Sequence, residues 1–412
     1  MSLLFTLGWR NMWRNKRRSI LTITAIAFAT FLTITFEGLT IGTWEYSVSS
    51  SVEMFSGYLQ IQKNGFQDNP SLNKSFAYPG QVSECMKDIP GVTGYAPRIQ
   101  ADGLISFHEN SAGTAIIGID PQAEMHISRF QDRVRKGRMI RQDGTDEVVV
   151  GATLLTNLKA DVGDTLVVLA QGYDGVMGNQ KFRVVGSMKF GSPEIDATMI
   201  LLHFRAAQDL LAMGGLANVV AIGTPGLQTV ETVQGAIHGS LLQHGLEQLA
   251  VLPWSEVMPE LKQGMDFDKI NHSMFMAILV IVVAFGVMNT ILMSVTERFR
   301  EFGVTLALGM RSSGLVKLVL LETICMALVG IAAGCITGYS ANVYFYFHPI
   351  LLGGNIAQLY EEYGFLPMII STMRLSVPLA SAGLIFLLCC LASLYPLCRV
   401  SSLEPLKGIR YT

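Results

Sequence analysis

The chain is 412 residues long; 50% of it is hydrophobic and only 15% charged, with mean hydropathy +0.40. A soluble globular chain carries about 25% charged residues, so part of this one must face lipid, and an ordinary cytosolic enzyme is excluded. The net charge of −2 conceals opposite local balances that bear on topology.

In chain order, four windows without Asp, Glu, Lys or Arg reach the roughly 18 residues that mark a membrane span: Ser19–Phe36, Ile270–Thr296, Thr323–Tyr360 and Leu375–Cys398. They predict transmembrane helices at 20–41, 273–296, 318–343 and 375–396. The basic segment 1–19, the stretch 297–317 and the tail 397–412 together hold Arg10, Arg14, Lys16, Arg17, Arg18, Arg298, Arg300, Arg311, Lys317, Arg399, Lys407 and Arg410 against only Glu297, Glu301 and Glu404. The loop 344–374 has Glu361 and Glu362 and no cation before Arg374. By the positive-inside rule both termini are cytoplasmic, and the segment 42–272 is extracytoplasmic. An apolar stretch longer than a signal core predicts an uncleaved anchor at the start rather than a signal peptide.

The segment between the first two spans is about 230 residues, enough for its own core. From Ile41 to Lys269 it carries 17 Lys and Arg against 25 Asp and Glu, a net charge of −8, which disfavours nucleic acid as a partner. Its one cysteine is Cys85, read as a buried thiol; the others lie in or beside spans. A strand at Gly57–Lys63, a helix at Pro79–Ile89 and a strand at Val92–Phe107 give a β-α-β order, and Asn218–Gly223, Gly226–His244 and Gln248–Leu252 repeat it. The middle, about 114–211, is richer in strands and reads as a β-rich lobe inserted into an α+β lobe. The two β-α-β units are expected to pack on each other to cover their sheet faces. Glu256–Gly264 followed by Met265–His272 could extend the second span as a stalk, with Pro259 and Gly264 against a continuous helix.

Catalytic signatures are missing from the sequence. It has no phosphate-cradling loop, no His-Glu-x-x-His and no nucleophile elbow, and its seven histidines lack metal-ligand spacing. An enzyme is disfavoured, no metal site is expected, and ATP-driven action would need a partner. Within the spans, Glu37 is either an interfacial charge or a functional one. Glu322 reads as half of a structural ion pair with Lys317 or an N-terminal Arg. Helix 2 carries Met274, Met276, Met288, Met293, Phe275 and Phe285, a surface suited either to greasy ligands of variable shape or to plain lipid and helix packing.

The segment Thr296-Glu297-Arg298-Phe299-Arg300-Glu301-Phe302-Gly303-Val304-Thr305-Leu306-Ala307-Leu308-Gly309-Met310 predicts a short amphipathic helix between spans 2 and 3, with Phe302, Leu306 and Gly309 on one face. It resembles the coupling-helix signature of FtsX-like ABC-transporter permeases. Leu320-Leu321-Glu322 is similar to the family's glutamate at the start of the third span. Arg10-Asn11-Met12-Trp13-Arg14-Asn15-Lys16-Arg17-Arg18 and the closing Tyr395-Pro396 to Arg410 stretch resemble its terminal motifs. Within the family the chain is most similar to the lipoprotein-releasing (LolC/LolE-type) and MacB-type permeases.

The resemblance implies an α-helical membrane protein with four transmembrane helices plus a large extracytoplasmic α+β domain, two-lobed with a porter-like and a β-rich lobe, between helices 1 and 2. It implies a bacterial inner-membrane permease subunit that works by mechanotransmission. ATP and Mg would sit on a separate cytoplasmic ABC ATPase dimer, and this chain would bind no cofactor. Glu297, Arg298, Arg300, Glu301, Phe302, Gly303, Leu306, Ala307, Leu308 and Gly309 would engage that ATPase. Phe31, Phe36, Met274, Phe285 and Met288 are the expected wall of a substrate cavity. A second permease chain, identical or homologous, a periplasmic carrier or adaptor, and a lipoprotein or other amphiphilic substrate complete the expected partners. Efflux of peptides or drugs and a signalling role that activates a cell-wall hydrolase stand as alternatives.

Overall fold

A computed structural model describes residues 16–189, 193–355, 357, 360 and 367–401. The basic motif at 10–15, the acidic pair Glu361 and Glu362 and the closing motif from Ser402 onward lie outside the described residues. Helices include, in chain order, α1 (Lys16–Ser51), α2 (Gly80–Cys85), α3 (Val230–Gln243), α4 (Pro259–Glu297), α5 (Phe299–Ala307), α6 (Ser312–Phe347) and α7 (Ser376–Ser401). The strands of the main sheet are β1 (Leu59–Lys63), β2 (Gly94–Phe107), β3 (Asn110–Ile119), β4 (Val134–Gly137), β5 (Glu147–Gly151), β6 (Thr165–Gln171), β7 (Met177–Met188), β8 (Met199–His203), β9 (Val219–Gly223) and β10 (Leu249–Pro253). The chain divides into a helical unit and an inserted unit, Glu45–Met265 with Leu352–Pro367.

In the helical unit α1, α4, α6 and α7 are each long and apolar enough to cross a membrane. They outrun the windows predicted from composition: α1 continues past 41 to Ser51, and α4 begins at Pro259 instead of 273. An apolar window marks only the lipid-compatible stretch, whereas helix propagation continues through any residue that tolerates it. Pro259 occupies the first position of α4, where its missing N–H costs nothing, so it starts the helix rather than breaking it.

Small residues pack α1 closely against α6. Gly330, Gly334 and Gly338 recur every four residues on α6, and a Cβ at Gly334 would lie 2.5 Å from the Thr30 Cβ and 2.7 Å from the Ala27 carbonyl. The backbones can approach this closely only because the side chains are missing, as at small-residue helix contacts in membranes. Asn342, one further turn along, donates to the Ile34 carbonyl at 3.0 Å. By contrast, only 11% of the apolar window of α4 is buried, against 44%, 50% and 39% for α1, α6 and α7, so its middle lacks the internal packing of the others.

In the inserted unit, Val- and Ile-rich segments build a sheet of ten strands, nine of them in the order β10-β1-β9-β2-β3-β8-β5-β7-β4 and the tenth, β6, off that path. The two β-α-β units do not stack as separate blocks. Their strands interleave, with β1 of the first unit between β10 and β9 of the second, and β9 between β1 and β2. Only α2 and α3 meet in the expected fashion, the Ser240 hydroxyl donating to the Cys85 carbonyl at 2.9 Å. In the β-rich lobe, β6 pairs with both β2 and β7, so β2, β3, β8, β5, β7 and β6 close into a ring. Its core holds Ile99, Ile105, Ile116, Val148, Leu166, Phe182 and Ile200. Closing the ring leaves few free strand edges.

One buried carboxylate anchors this lobe. Glu147, at the start of β5, accepts from both Arg138 terminal nitrogens, from the Arg141 main chain at 3.0 Å and from Arg141 Nε at 3.2 Å. The Arg138 hydrogen bonds, offset in part by burial, lower its pKa to about 2 from the ordinary 4.5 of a free glutamate.

Gly334→Leu forces α1 and α6 apart, and the yield of monodisperse protein in detergent falls at least several-fold; Gly383→Ala, at a glycine with open space, leaves it unchanged. Because the folded-state pKa of Glu147 is depressed, its stabilisation is present above pH 4.5 and is lost as pH falls through about 2. Glu147→Gln therefore destabilises at pH 7 by about 1–3 kcal/mol, and the gap between wild-type and variant melting curves closes between those two pH values.

Candidate functional site: the short helix between the second and third spans

At Arg298 the chain leaves α4 with φ −105° and ψ 8°, and α5 starts in a new direction at Phe299. The buried face of α5 is set by Phe302 and Gly303, with Phe299 and Leu306 half-buried beside them. They share a core with Val287, Ile291 and Val295 of α4, Leu315 and Val319 of α6, and Leu397 of α7. The opposite face presents Arg300, Val304, Ala307 and Leu308, the last 84% exposed although it is apolar. A groove of about 520 Å³ lies between α5 and the start of α6, lined by Arg300, Glu301, Phe302, Val304, Leu315 and Leu318 among others.

The end of α5 explains why the segment finishes in Ala-Leu-Gly. Gly309 has φ +98°, a conformation other residues rarely adopt. It lets the Met310 N–H reach the Thr305 carbonyl at 3.2 Å and its own N–H reach Leu306 at 3.0 Å, closing the last turn.

Arg298 ties the region together. Its Nη1 donates to Glu322 Oε2 at 2.9 Å, its Nε donates to Glu301 Oε2 at 3.3 Å, and its guanidinium lies 5.0 Å from the Phe302 ring centroid. Arg298 and Glu322 are both buried, and the space left beside them is only about 10 Å³. The expected pairing of Glu322 with Lys317 is therefore corrected: the cation is Arg298. Five residues along a helix turn about 140°, which carries Lys317 off the Glu322 face to an exposed position.

The five residues expected to wall a cavity are not gathered in this way. Phe36 does reach α4, but by stacking on His272 at 5.3 Å and meeting the Phe275 ring at a tilt at 4.6 Å. Met274 and Phe285 are exposed, Phe31 and Met288 half-buried. The contact continues as Thr40 against His272 Nδ1 at 3.3 Å and Trp44 donating to Asp268 at 2.9 Å. The expected set missed this clasp. Its signal is the matched spacing of Phe36, Thr40 and Trp44 with Asp268, His272 and Phe275 on two antiparallel helices. Glu37 accepts from the Ser381 hydroxyl of α7 at 2.9 Å, so it is engaged in packing as well as charged.

Comparison with known proteins agrees with this architecture. Residues 19–239 match the family described as MacB-like periplasmic core domain, and residues 273–405 match FtsX-like permease C-terminal. The chain belongs to the FtsX-like ABC-transporter permeases with a MacB-type core domain. The LolC transmembrane protein of the lipoprotein-releasing system of Neisseria meningitidis serogroup B is 22% identical over 78% of this chain and 79% of its own length. The macrolide export ATP-binding/permease protein MacB of Acinetobacter baylyi is 20% identical over 80% of this chain and 50% of its own. The chain thus spans about half the length of that MacB relative. The extracellular domain of the noncanonic ABC-type transporter YknZ from Gram-positive bacteria covers 47% of this chain with 16% identity and a TM-score of 0.35.

Removing one partner of the buried pair leaves an uncompensated charge. Arg298→Ala is expected to destabilise the detergent-solubilised permease by about 3–5 kcal/mol, while Arg298→Met combined with Glu322→Leu recovers most of it. Thermal melts of Arg298→Met, Glu322→Leu and the double variant check this; strictly additive losses would mean that the pair is not coupled.

Proposed function

We propose that this permease is the membrane subunit of a transporter that extracts lipoproteins or other amphiphiles from the outer leaflet of a bacterial inner membrane by mechanotransmission. Both termini face the cytoplasm and the inserted domain faces the periplasm. A separate pair of cytoplasmic ATPases carries ATP and Mg, and a second permease chain, identical or homologous, completes the membrane part.

The observation that carries this reading is the Arg298 hub. The exposed face of α5, with Arg300, Val304 and Leu308, is the kind of surface that seats in a groove on a partner. When a partner moves α5, the guanidinium that holds Glu301 and Glu322 at once passes the displacement to the end of α4 and the start of α6. Because α1 and α6 are locked through glycines, the responding element is α4, whose middle is least packed. Its bare face, with Met274, Ile278, Ile281 and Phe285, is apolar and deformable, which suits acyl chains more than a polar solute. A LolC relative of a lipoprotein-releasing system supports the same substrate class. Efflux of peptides or drugs is the second reading, favoured by the MacB-type core domain match over residues 19–239.

The test is co-purification from native membranes followed by ATPase and release assays. A separate ATPase whose turnover rises with an acylated lipoprotein, and falls to the unacylated level with its unlipidated form, supports extraction. Phe285→Ser with Met274→Ser is expected to cut ATP-dependent release at least tenfold, with ATP hydrolysis retained. Turnover indifferent to acylation, with co-purifying adaptor and outer-membrane channel, overturns extraction in favour of efflux.

A further inference from the structure

We propose that the inserted domain binds an extended polypeptide segment bearing a lysine or arginine, in a cleft over β2 and β3. This concerns the inserted unit alone and does not depend on what drives the helical unit, so its failure and that of the transport reading are separable.

The cleft has a volume of about 590 Å³, within the range of ligand sites. Its floor is three consecutive cross-strand pairs, Gln100 with Ile117, Ala101 with Ile116 and Asp102 with Ala115. Leu72 in the loop after Pro70 and Tyr173 in the turn between β6 and β7 form walls. Tyr173 is 45% exposed, a large aromatic surface left beside an apolar floor.

What selects a peptide is the edge of β2. Strand β9 pairs with β2 only as far as Arg98, and β6 takes up the same edge at Leu104. Between them the Leu169 carbonyl and Ala170 of β6 already lie against Gly103, so the stretch of β2 without a strand on that side runs only from Ile99 to Asp102. The protein fills the first position itself: the Asn218 side chain accepts from the Gln100 N–H at 2.9 Å and donates to the Gln100 carbonyl at 2.7 Å, imitating a strand. Main-chain groups in an antiparallel strand alternate sides, so those of Asp102 point to the same gap as those of Gln100. Among the described residues no strand meets Asp102 there. With Gln100 filled by Asn218 and Gly103 covered by β6, the opening is at Asp102 alone, where one residue of an extended segment crossing the cleft can pair its main chain with that of Asp102, a one-residue form of strand addition.

Charge decides which segment. Asp102 is exposed and is the one formally charged residue among those lining the cleft, which include no Lys, Arg or His. The surrounding domain carries −8. An incoming cation gains a carboxylate partner in a concave site, whereas an acidic segment meets repulsion from Asp102 and the whole domain.

The experiment uses the full-length permease in nanodiscs and fluorescein-labelled nine-residue peptides of alternating threonine and valine, with a central lysine or a central glutamate. Fluorescence polarisation should show the lysine peptide binding at least tenfold more tightly. Asp102→Lys should invert that preference, Tyr173→Ala should weaken the lysine peptide several-fold, and Glu109→Lys, an exposed site outside the cleft, should change neither. N-methylating the peptide main chain should abolish binding. Because Asp102 and Tyr173 are exposed, the variants should keep the wild-type melting temperature. Equal binding of the two peptides, a lysine preference that survives Asp102→Lys, or full binding of the N-methylated peptide would each overturn the proposal.

Discussion

A buried guanidinium holds the helical unit to its short connecting helix. Arg298 sits where α4 ends, bonds Glu322 on α6 and Glu301 on α5, and lies against Phe302. A buried ion pair contributes little net stability compared with an apolar replacement of the same volume, yet losing one member is severe. That asymmetry suits a joint that must not slip. Apolar packing alone, here Val295, Phe302 and Val319, could slide by one ridge without much loss, whereas the fork of the guanidinium fixes one register.

Stiffness elsewhere in the unit is distributed unevenly. The glycine row of α6 brings its backbone against α1 so closely that a Cβ at Gly330 or Gly334 would find no room. Helix α4 shares a core with α5 and α6 through Val287, Ile291 and Val295 and meets α1 again at the Phe36, Thr40 and Trp44 clasp. Between those anchors Ile278, Ile281, Val282 and Phe285 are exposed. A helix held at two places and bare between them is the element of this unit that costs least to move.

Much of this was legible in the sequence, and the failures have physical causes. The uncharged windows marked all four spans because charge is excluded from lipid. Helix ends were missed because a window measures apolarity and not backbone bonding, as the extension of α4 to Pro259 illustrates. Individual strands such as Glu147–Gly151 and Val219–Gly223 follow from their β-branched runs. Their interleaving does not, since alternation fixes which face a strand buries but says nothing about its neighbour. In the candidate site, the importance of Arg298 and Gly309 was visible in the motif. The choice of Arg298 over Lys317 as partner of Glu322 needed the turn at the end of α4, a tertiary fact.

The interleaved sheet has a consequence for how the inserted domain holds together. Strand β1 follows α1 in the chain and β10 precedes α4, yet the two are paired from Leu59 with Pro253 to Lys63 with Leu249. The Trp254 N–H then donates to the Tyr58 carbonyl at 3.1 Å, extending the ladder by one bond. The segments entering and leaving the domain are therefore adjacent strands, and β9 on the far side of β1 belongs to the later unit as well. Neither β-α-β unit can complete its sheet without the other. Separating β1 from β10 would break a five-residue ladder at once, not one contact at a time, so a pull on either segment is shared with its neighbour inside the same sheet. A domain assembled from two stacked but independent units would lack that property, and the difference lies in strand order alone.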